Sequence, residues 1–171
     1  MRGGFERDRS TVREKSILPK FIIGALGTMV LMFSTMALAQ GTAADAQAML
    51  ARAVAAVKAD KAKALDMFNK GEGGFLEGDL YPFCFNAGDG VTVANANAKR
   101  LLGTDVRTLK DATGKAYGLK LYAAAQKPEG QITAVSYEFQ KSGGNNTNPV
   151  PKESFVTRVG DLGCGVGYYK Y

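Results

Sequence analysis

Residues 80–94, LYPFCFNAGDGVTVA, predict a β-hairpin, and the rest of the fold is worked out from it. Residues 80–85 are an apolar run, residues 91–94 favour a strand, and Asp89 and Gly90 between them form a turn pair. Pro82 has no backbone N–H, so the first strand should have one side unpaired there or carry a bulge.

Downstream of the hairpin the chain continues as strands and turns around one helical segment. Residues 131–139 alternate in strand fashion, with Val135, Tyr137 and Phe139 on one face. The other predicted elements are a short helix at residues 99–102, a turn at 111–114, a helix at about 116–126, a polar turn at 142–150, and strands at 152–159 and 162–169. The antiparallel sheet therefore has a helical insertion between its second and third strands.

Upstream of the hairpin, residues 42–70 predict one long helix. Thr42 can cap its N-terminus together with Asp45, and apolar side chains follow at helical spacing. Lys61 interrupts the apolar stripe, so a bend or break near Asp60 is an alternative. A helix followed by an antiparallel sheet with a helical insertion is an α+β domain.

Residues 1–39 predict an export signal. Basic residues precede residues 21–39, which carry no charge and end in Ala37, Leu38 and Ala39. Signal peptidase accepts short side chains at such a site, so we expect cleavage after Ala39 and one domain at residues 40–171. An uncleaved anchor is the alternative, because 19 apolar residues approach the ~20 that span a bilayer. In either case the domain is expected in the periplasm or outside the cell.

The composition excludes several classes of function. The chain has 171 residues, of which 46% are apolar and 22% charged, as is typical of one folded domain. It contains no histidine and two cysteines, which excludes histidine-dependent catalysis and His-ligated metal sites. Six basic and three acidic residues lie in the first 39, so half of the +6 charge belongs to the leader and no nucleic-acid partner is expected. No catalytic residue, metal site or cofactor is predicted, and the protein is not expected to be an enzyme.

Six strings in the exported part carry a family resemblance. They are the alanine-rich helix at residues 53–64, GDLYPFCF at 78–85, LGTD at 102–105 with LKDATGK at 109–115, YEF at 137–139, PKESFV at 151–156 and GCGVGYY at 163–169. In this order and spacing the chain resembles the single Cache domain family, second type, in its freestanding secreted bacterial form.

The resemblance implies a PAS-like antiparallel sheet backed by the long helix, with a ligand pocket between the sheet and the helical insertion. Members of this family are extracytoplasmic sensors of small molecules, often short carboxylates or amino-acid-like ligands, and are commonly attached to chemoreceptors or kinases. No signalling module follows Tyr171, so this chain is expected to signal through a separate membrane partner, a chemoreceptor or a kinase.

The resemblance also indicates candidate ligand-binding residues. Lys152 matches a position suited to a ligand carboxylate, whereas an exposed lysine at the start of a strand is the alternative. Tyr81 and Phe83 either line the pocket or belong to the core with Phe85, which shares their strand face. The full set is Tyr81, Phe83, Asn95, Tyr117, Tyr137 and Lys152. Asn95 and Phe155 stand where the family often has histidine and tyrosine, which bears on the identity of the ligand.

Cys84 and Cys164 fall in the first and last strands, which are neighbours in a PAS-like sheet. A structural disulfide between them would close a loop of about 80 residues. Two buried free cysteines or a redox pair are the alternatives. Gly163, Gly165 and Gly167 are spaced by two along the last strand, which predicts close approach of other groups to its backbone.

A second hypothesis for the whole protein is a non-catalytic structural or interaction protein. Its pocket would be filled by its own side chains, and it would form a homodimer through the long helix. A ligand-free structure with no cavity, together with a concentration-dependent dimer, would favour this hypothesis over the sensor.

Overall fold

The structure is a computed structural model that describes residues 40–141 and 148–170. The predicted signal peptide at residues 1–39 and most of the predicted polar turn lie outside the described residues.

The predicted long helix is two helices, α1 (Ala43–Ala59) and α2 (Lys61–Lys70). α1 begins at the predicted capping box, in which Thr42 Oγ1 accepts the Asp45 backbone N–H at 3.2 Å and the Asp45 carboxylate accepts that of Thr42 at 3.0 Å. Asp60 adopts an extended backbone and its carboxylate accepts the backbone N–H of Lys63 at 3.0 Å, so it ends α1 and caps α2. The prediction of one continuous helix is wrong and the alternative of a break near Asp60 is confirmed, because Asp60 offers the second helix a local N-terminal cap.

Five antiparallel strands form one sheet in the order β2-β1-β5-β4-β3. The strands are β1 (Pro82–Asn86), β2 (Thr92–Asn95), β3 (Thr133–Gln140), β4 (Pro149–Val159) and β5 (Leu162–Tyr169). Two 3₁₀ turns, Lys99–Leu101 and Val106–Thr108, and helix α3 (Tyr117–Ala125) lie between β2 and β3. The predicted α+β class with a helical insertion at this point is confirmed.

The β1–β2 hairpin has the irregularities that Pro82 predicts. Pro82 is the register partner of Val166 on β5, whereas pairing with β2 begins at Phe83. The β1–β2 register shifts between Cys84 and Phe85.

The predicted start of β4 is wrong. β4 begins at Pro149, so Lys152 lies inside the strand and not at its start. Pro149 and Val150 were expected in the polar turn, but Val150 is the register partner of Phe139 on β3. The long β3 strand supplies pairing partners there, and this pairing outweighs the turn-forming preference of the local sequence.

Each face of the sheet has its own apolar cluster. Cys84, Ala94 and Val166 face α1 and α2, on what we call the helix side. Phe85 and Val156 face α3, on what we call the cavity side, and Phe85 is fully buried there as core. The alternation of side chains along the strands places neighbouring residues in different clusters.

Cys84 and Cys164 are register partners on the adjacent strands β1 and β5, and a disulfide joins them. Both side chains are fully buried on the helix side of the sheet. The bond closes a loop with a sequence separation of 80 residues.

Candidate functional site

A cavity lies on the cavity side of the sheet, enclosed by α3 and the two 3₁₀ turns. All six predicted ligand-binding residues line it: Tyr81, Phe83, Asn95, Tyr117, Tyr137 and Lys152. Its volume of about 30 Å³ suits a molecule of a few non-hydrogen atoms. The structure thus brings the predicted set together, and the binding role of these residues remains a prediction.

Six lining residues were not predicted from the sequence. They are Thr92, Leu101, Val106, Leu109, Leu121 and Phe139. Phe139 shares the strand alternation of Tyr137, so that pattern already contained the signal for it. The residues of the 3₁₀ turns had no such signal, because these turns have no repeating pattern in the sequence.

Lys152 brings a positive charge into this largely apolar cavity. Lys152 is 3% exposed, and its ammonium group donates a hydrogen bond to Tyr81 Oη at 3.1 Å. Lys152 Nζ also lies 4.5 Å from the ring centroid of Tyr81, 4.6 Å from that of Tyr169 and 5.2 Å from that of Phe139. The alternative of an exposed lysine is wrong, because aromatic faces stabilise the buried cation.

Gly167 gives the Lys152 side chain its path across β5. A β-carbon at Gly167 would lie 2.6 Å from Lys152 Cε, too close for two carbon atoms. Gly165 leaves similar room for the Phe83 ring. The close approach predicted from the glycine spacing is therefore confirmed, and one of the approaching groups is the cation of the cavity.

Three tyrosine hydroxyl groups face the same region. The rings of Tyr117 and Tyr137 stack with centroids 4.2 Å apart, and the Tyr137 hydroxyl shares a hydrogen bond of 2.8 Å with Ser154 Oγ. Burial raises the pKa of Tyr117 to about 12 and also raises the pKa of Tyr81 and Tyr137 above the ordinary value. All three hydroxyls are therefore protonated near neutral pH and able to donate hydrogen bonds.

Asn95 presents its amide nitrogen as a donor. Its Oδ1 accepts the backbone N–H of Ala98 at 2.7 Å, which fixes the orientation of the carboxamide. The Asn95 backbone N–H donates to Asn69 Oδ1 at 2.9 Å, which ties the end of β2 to α2. Asn95 lies at the cavity wall and is 5% exposed, so its two remaining N–H groups are the polar atoms it can offer there.

The charge balance of the cavity favours an anion. None of the residues that line it is an aspartate or a glutamate, and Lys152 is the cation among them, within the part of the chain that the structure describes. Outside the cavity, Arg100 lies 5.8 Å over the Phe139 ring and lines an adjoining depression. Leu101, Leu109 and Tyr117 border both spaces, so the depression adjoins the cavity.

Phe155 does not belong to the cavity. Its ring lies on the helix side and stacks on Tyr168, with centroids 5.9 Å apart. β4 alternation turns residue 155 away from the cavity that Lys152 faces, and the expectation that this phenylalanine bears on ligand identity stays a prediction.

Among residues 40–141 and 148–170, no group of three or more acidic or cysteine side chains is placed to hold a metal ion. No helix in these ranges combines the length and the apolar character that crossing a membrane requires.

Comparison with known proteins was made by family model and by structure. The family model described as Single Cache domain 2 matches residues 18–171. A methyl-accepting chemotaxis protein from Vibrio parahaemolyticus RIMD 2210633 is similar with a TM-score of 0.58 at 23% identity, over 74% of this chain and 86% of that chain. The periplasmic sensor domain of a chemotaxis protein gives a TM-score of 0.56 at 21% identity, over 73% of this chain and 88% of that chain.

A third solved structure is a Cache chemosensory domain whose structure concerns carboxylic acid recognition. It gives a TM-score of 0.55 at 21% identity, over 73% of this chain and 86% of that chain. No curated protein is significantly similar in sequence. At these identities the structural similarities establish the fold, and they confirm the predicted PAS-like architecture.

Proposed function

This chain belongs to the single Cache domain 2 family, and we propose that it is an extracytoplasmic, non-catalytic sensor module that binds a short carboxylate in the cavity beside Lys152. The carrying observation is a buried ammonium group that lines a cavity of about 30 Å³. A pocket with apolar walls and a few convergent polar groups is typical of small-molecule sites.

The polar groups of the cavity complement a carboxylate. The ligand oxygens would accept hydrogen bonds from Lys152 Nζ and from the Tyr81 hydroxyl, which lie 3.1 Å apart. Charge-assisted hydrogen bonds of this kind are stronger than neutral ones. The protonated Tyr81 hydroxyl and the Asn95 amide are neutral donors beside the charged Lys152, so the site is rich in donors for an anion.

An amino-acid-like ligand, the other expectation from the sequence, has less support. Its ammonium group would need an acceptor of negative charge, and no carboxylate is among the cavity-lining residues that the structure describes. Placing a second cation near Lys152 would cost electrostatic energy in this desolvated site. A short carboxylate without an amino group therefore fits the cavity better.

Export is part of the proposal. Residues 1–39 would act as a signal peptide cleaved after Ala39, which would place the domain in the periplasm or outside the cell. A periplasmic sensor domain is among the structures that share the fold.

The signal would pass through the strands that the two faces of the sheet share. On β4, Val156 packs on the cavity side and Phe155 on the helix side against the α1 cluster. A shift of β4 on ligand binding would therefore move the surface of α1. A separate membrane receptor or kinase would detect that change, since Cache domains with similar folds belong to chemotaxis proteins.

Ligand binding is tested by thermal shift and calorimetry on the mature protein purified after export. The panel pairs short carboxylates with their amides and with amino acids of equal carbon number. A ligand at 100 times its Kd adds about 2.7 kcal/mol, which raises the melting temperature by several degrees. We expect shifts with carboxylates only.

Two lysine variants locate the site. Lys152→Met removes the charge and retains the length of the side chain, and we expect it to lower carboxylate affinity at least about tenfold. Lys61→Met is the control, because Lys61 pairs with Asp161 at the exposed surface, 2.8 Å away. Unchanged affinity in Lys152→Met would contradict the site, and no shift with any compound would favour the interaction protein with a filled pocket.

A further inference from the structure

Asp79 holds a buried carboxylate oxygen that lacks a hydrogen bond. The side chain is 11% exposed, and its Oδ1 accepts the backbone N–H of Gly41 at 3.1 Å. Its Oδ2 is buried and has no hydrogen-bond partner among the described residues. Lys141 Nζ lies 3.9 Å from Oδ2, beyond hydrogen-bond distance. Leaving such an oxygen without a donor is costly, so the native protein should supply one.

The chain next to this oxygen is held tightly in place. A β-carbon at Gly41 would collide with the Leu80 side chain, so the Gly41 backbone packs directly against the residue that follows Asp79. Gln40 precedes Gly41 and is exposed. Consecutive backbone nitrogen atoms lie about 3–4 Å apart, and the Gly41 nitrogen lies 3.1 Å from Asp79 Oδ1, so the Gln40 nitrogen is within about 7 Å of that oxygen.

Cleavage after Ala39 changes the chemistry of that nitrogen. In the uncleaved chain the Gln40 nitrogen is a neutral amide with one N–H. After cleavage it is an α-ammonium group with three N–H donors and a positive charge. We propose that Asp79 binds the α-ammonium group of Gln40 in the mature protein, through the oxygen that has no hydrogen-bond donor among residues 40–141 and 148–170. The proposal rests on the cleavage site proposed above and is independent of the ligand.

The contact would make the packing near the start of β1 depend on cleavage of the signal peptide. Asp79 lies two residues before Tyr81, which lines the cavity and accepts a hydrogen bond from Lys152. The new N-terminus would therefore hold α1 against the start of β1. A chain cleaved at another bond would lack this contact, because its ammonium group would lie elsewhere.

The test compares a charged and an uncharged N-terminus in the mature protein. The full chain is exported, and mass spectrometry of the product should give an N-terminus at Gln40. Glutaminyl cyclase then converts Gln40 to pyroglutamate, a reaction in which the α-nitrogen attacks the side-chain carbonyl carbon and ammonia leaves. Cyclisation removes the charge and changes no other residue. We expect it to lower the melting temperature of the wild-type protein by about 3–6 °C.

Asp79→Asn decides whether this loss comes from Asp79. Asparagine keeps an oxygen for the Gly41 N–H but removes the charge, so cyclisation should leave the melting temperature of this variant unchanged. Asp66→Asn is the matched control, because Asp66 forms an exposed ion pair with Lys70, and it should retain the full cyclisation effect.

Three outcomes would overturn the proposal. They are a product that does not begin at Gln40, a cyclisation effect equal in the wild-type and Asp79→Asn proteins, and no cyclisation effect in either. A different result would assign Lys141 as the partner instead. In that case Asp79→Asn would lower the melting temperature of the wild type but not that of Lys141→Met, and cyclisation would change neither. None of these results depends on carboxylate binding, so the two proposals fail separately.

Discussion

The position of the Lys152 charge depends on the absence of a side chain at Gly167. The lysine lies on β4, and its stem crosses the neighbouring strand β5 where Gly167 leaves space. The ammonium group then meets the Tyr81 hydroxyl and three aromatic rings. A small residue on one strand thus determines where the charge of another strand is placed.

Gly167→Ala should therefore displace the ammonium group without a change of charge. The added β-carbon would collide with Ser154 Oγ and lie 2.6 Å from Lys152 Cε, so both side chains must move. We expect carboxylate affinity to fall about tenfold in calorimetry, while the protein stays folded at 25 °C. Gly88→Ala is the control, because in the part of the chain that the structure describes no heavy atom beyond its chain neighbours lies within 4 Å of the β-carbon that it would add. If Gly167→Ala binds as tightly as the wild type, the absence of a side chain at Gly167 does not determine where the Lys152 charge meets the ligand.

Tyr117 makes stability sensitive to alkaline pH. Burial raises its pKa to about 12 from an ordinary value of 10.0, so the folded state favours the protonated phenol. This contribution is fully present below pH 10 and is lost as the pH rises towards 12. Urea unfolding at a series of pH values should show a loss of up to about 2 kcal/mol that is smaller in Tyr117→Phe. Equal pH profiles for the two proteins would contradict the assignment.

At the scale of elements, one residue separates the two N-terminal helices. Asp60 ends α1, where its backbone N–H donates to the Ala56 carbonyl, and it caps α2 through its carboxylate. The break lets the two helices pack on the same face of the sheet in different directions, which one straight helix could not do.

Asp60→Ala should destabilise the protein by about 1 kcal/mol, because the first N–H groups of α2 lose their side-chain acceptor. Chemical denaturation of the variant measures this loss as a lower midpoint. Asp60→Asn retains an oxygen at the same position and should recover most of the stability. If Asp60→Ala is as stable as the wild type, packing alone and not the cap determines the break between the helices.

The edge of the sheet is protected by the insertion. Asp111 Oδ2 accepts the backbone N–H of Glu138 at 3.2 Å, and Lys115 Nζ donates to the Ser136 carbonyl at 2.8 Å. These contacts occupy backbone groups of edge strand β3 that would otherwise be free to pair with another strand. The predicted turn at residues 111–114 thus has a structural role beside the cavity.

At the scale of the whole molecule, the disulfide joins strands that are distant in sequence. Cys84 and Cys164 lie on β1 and β5 at the centre of the sheet, and the loop between them contains the insertion and both β3 and β4. The bond therefore restricts most of the unfolded chain.

Replacing both cysteines with alanine should lower the free energy of unfolding by about 2–4 kcal/mol, near but below the ~4.5 kcal/mol of the chain-entropy model for a loop of this length. Thermal unfolding with and without a reductant measures the effect. The reductant should lower the melting temperature of the wild type and leave that of the double-alanine variant unchanged. A wild-type protein that is insensitive to complete reduction would contradict this account.

The sequence by itself determined the types and order of the elements, the faces of the strands and the six cavity residues that its family resemblance indicated. Capping residues, turn pairs and two-residue alternation act over a few positions, so they can be recognised without the fold. The break at Asp60 was already an alternative in the sequence, because its cap is local, whereas the tertiary structure alone decided the start of β4 at Pro149, the burial of Lys152 and the position of Phe155 on the helix side of the sheet. These depend on strands and helices that meet only after folding, because burial and register are properties of contacts between distant segments.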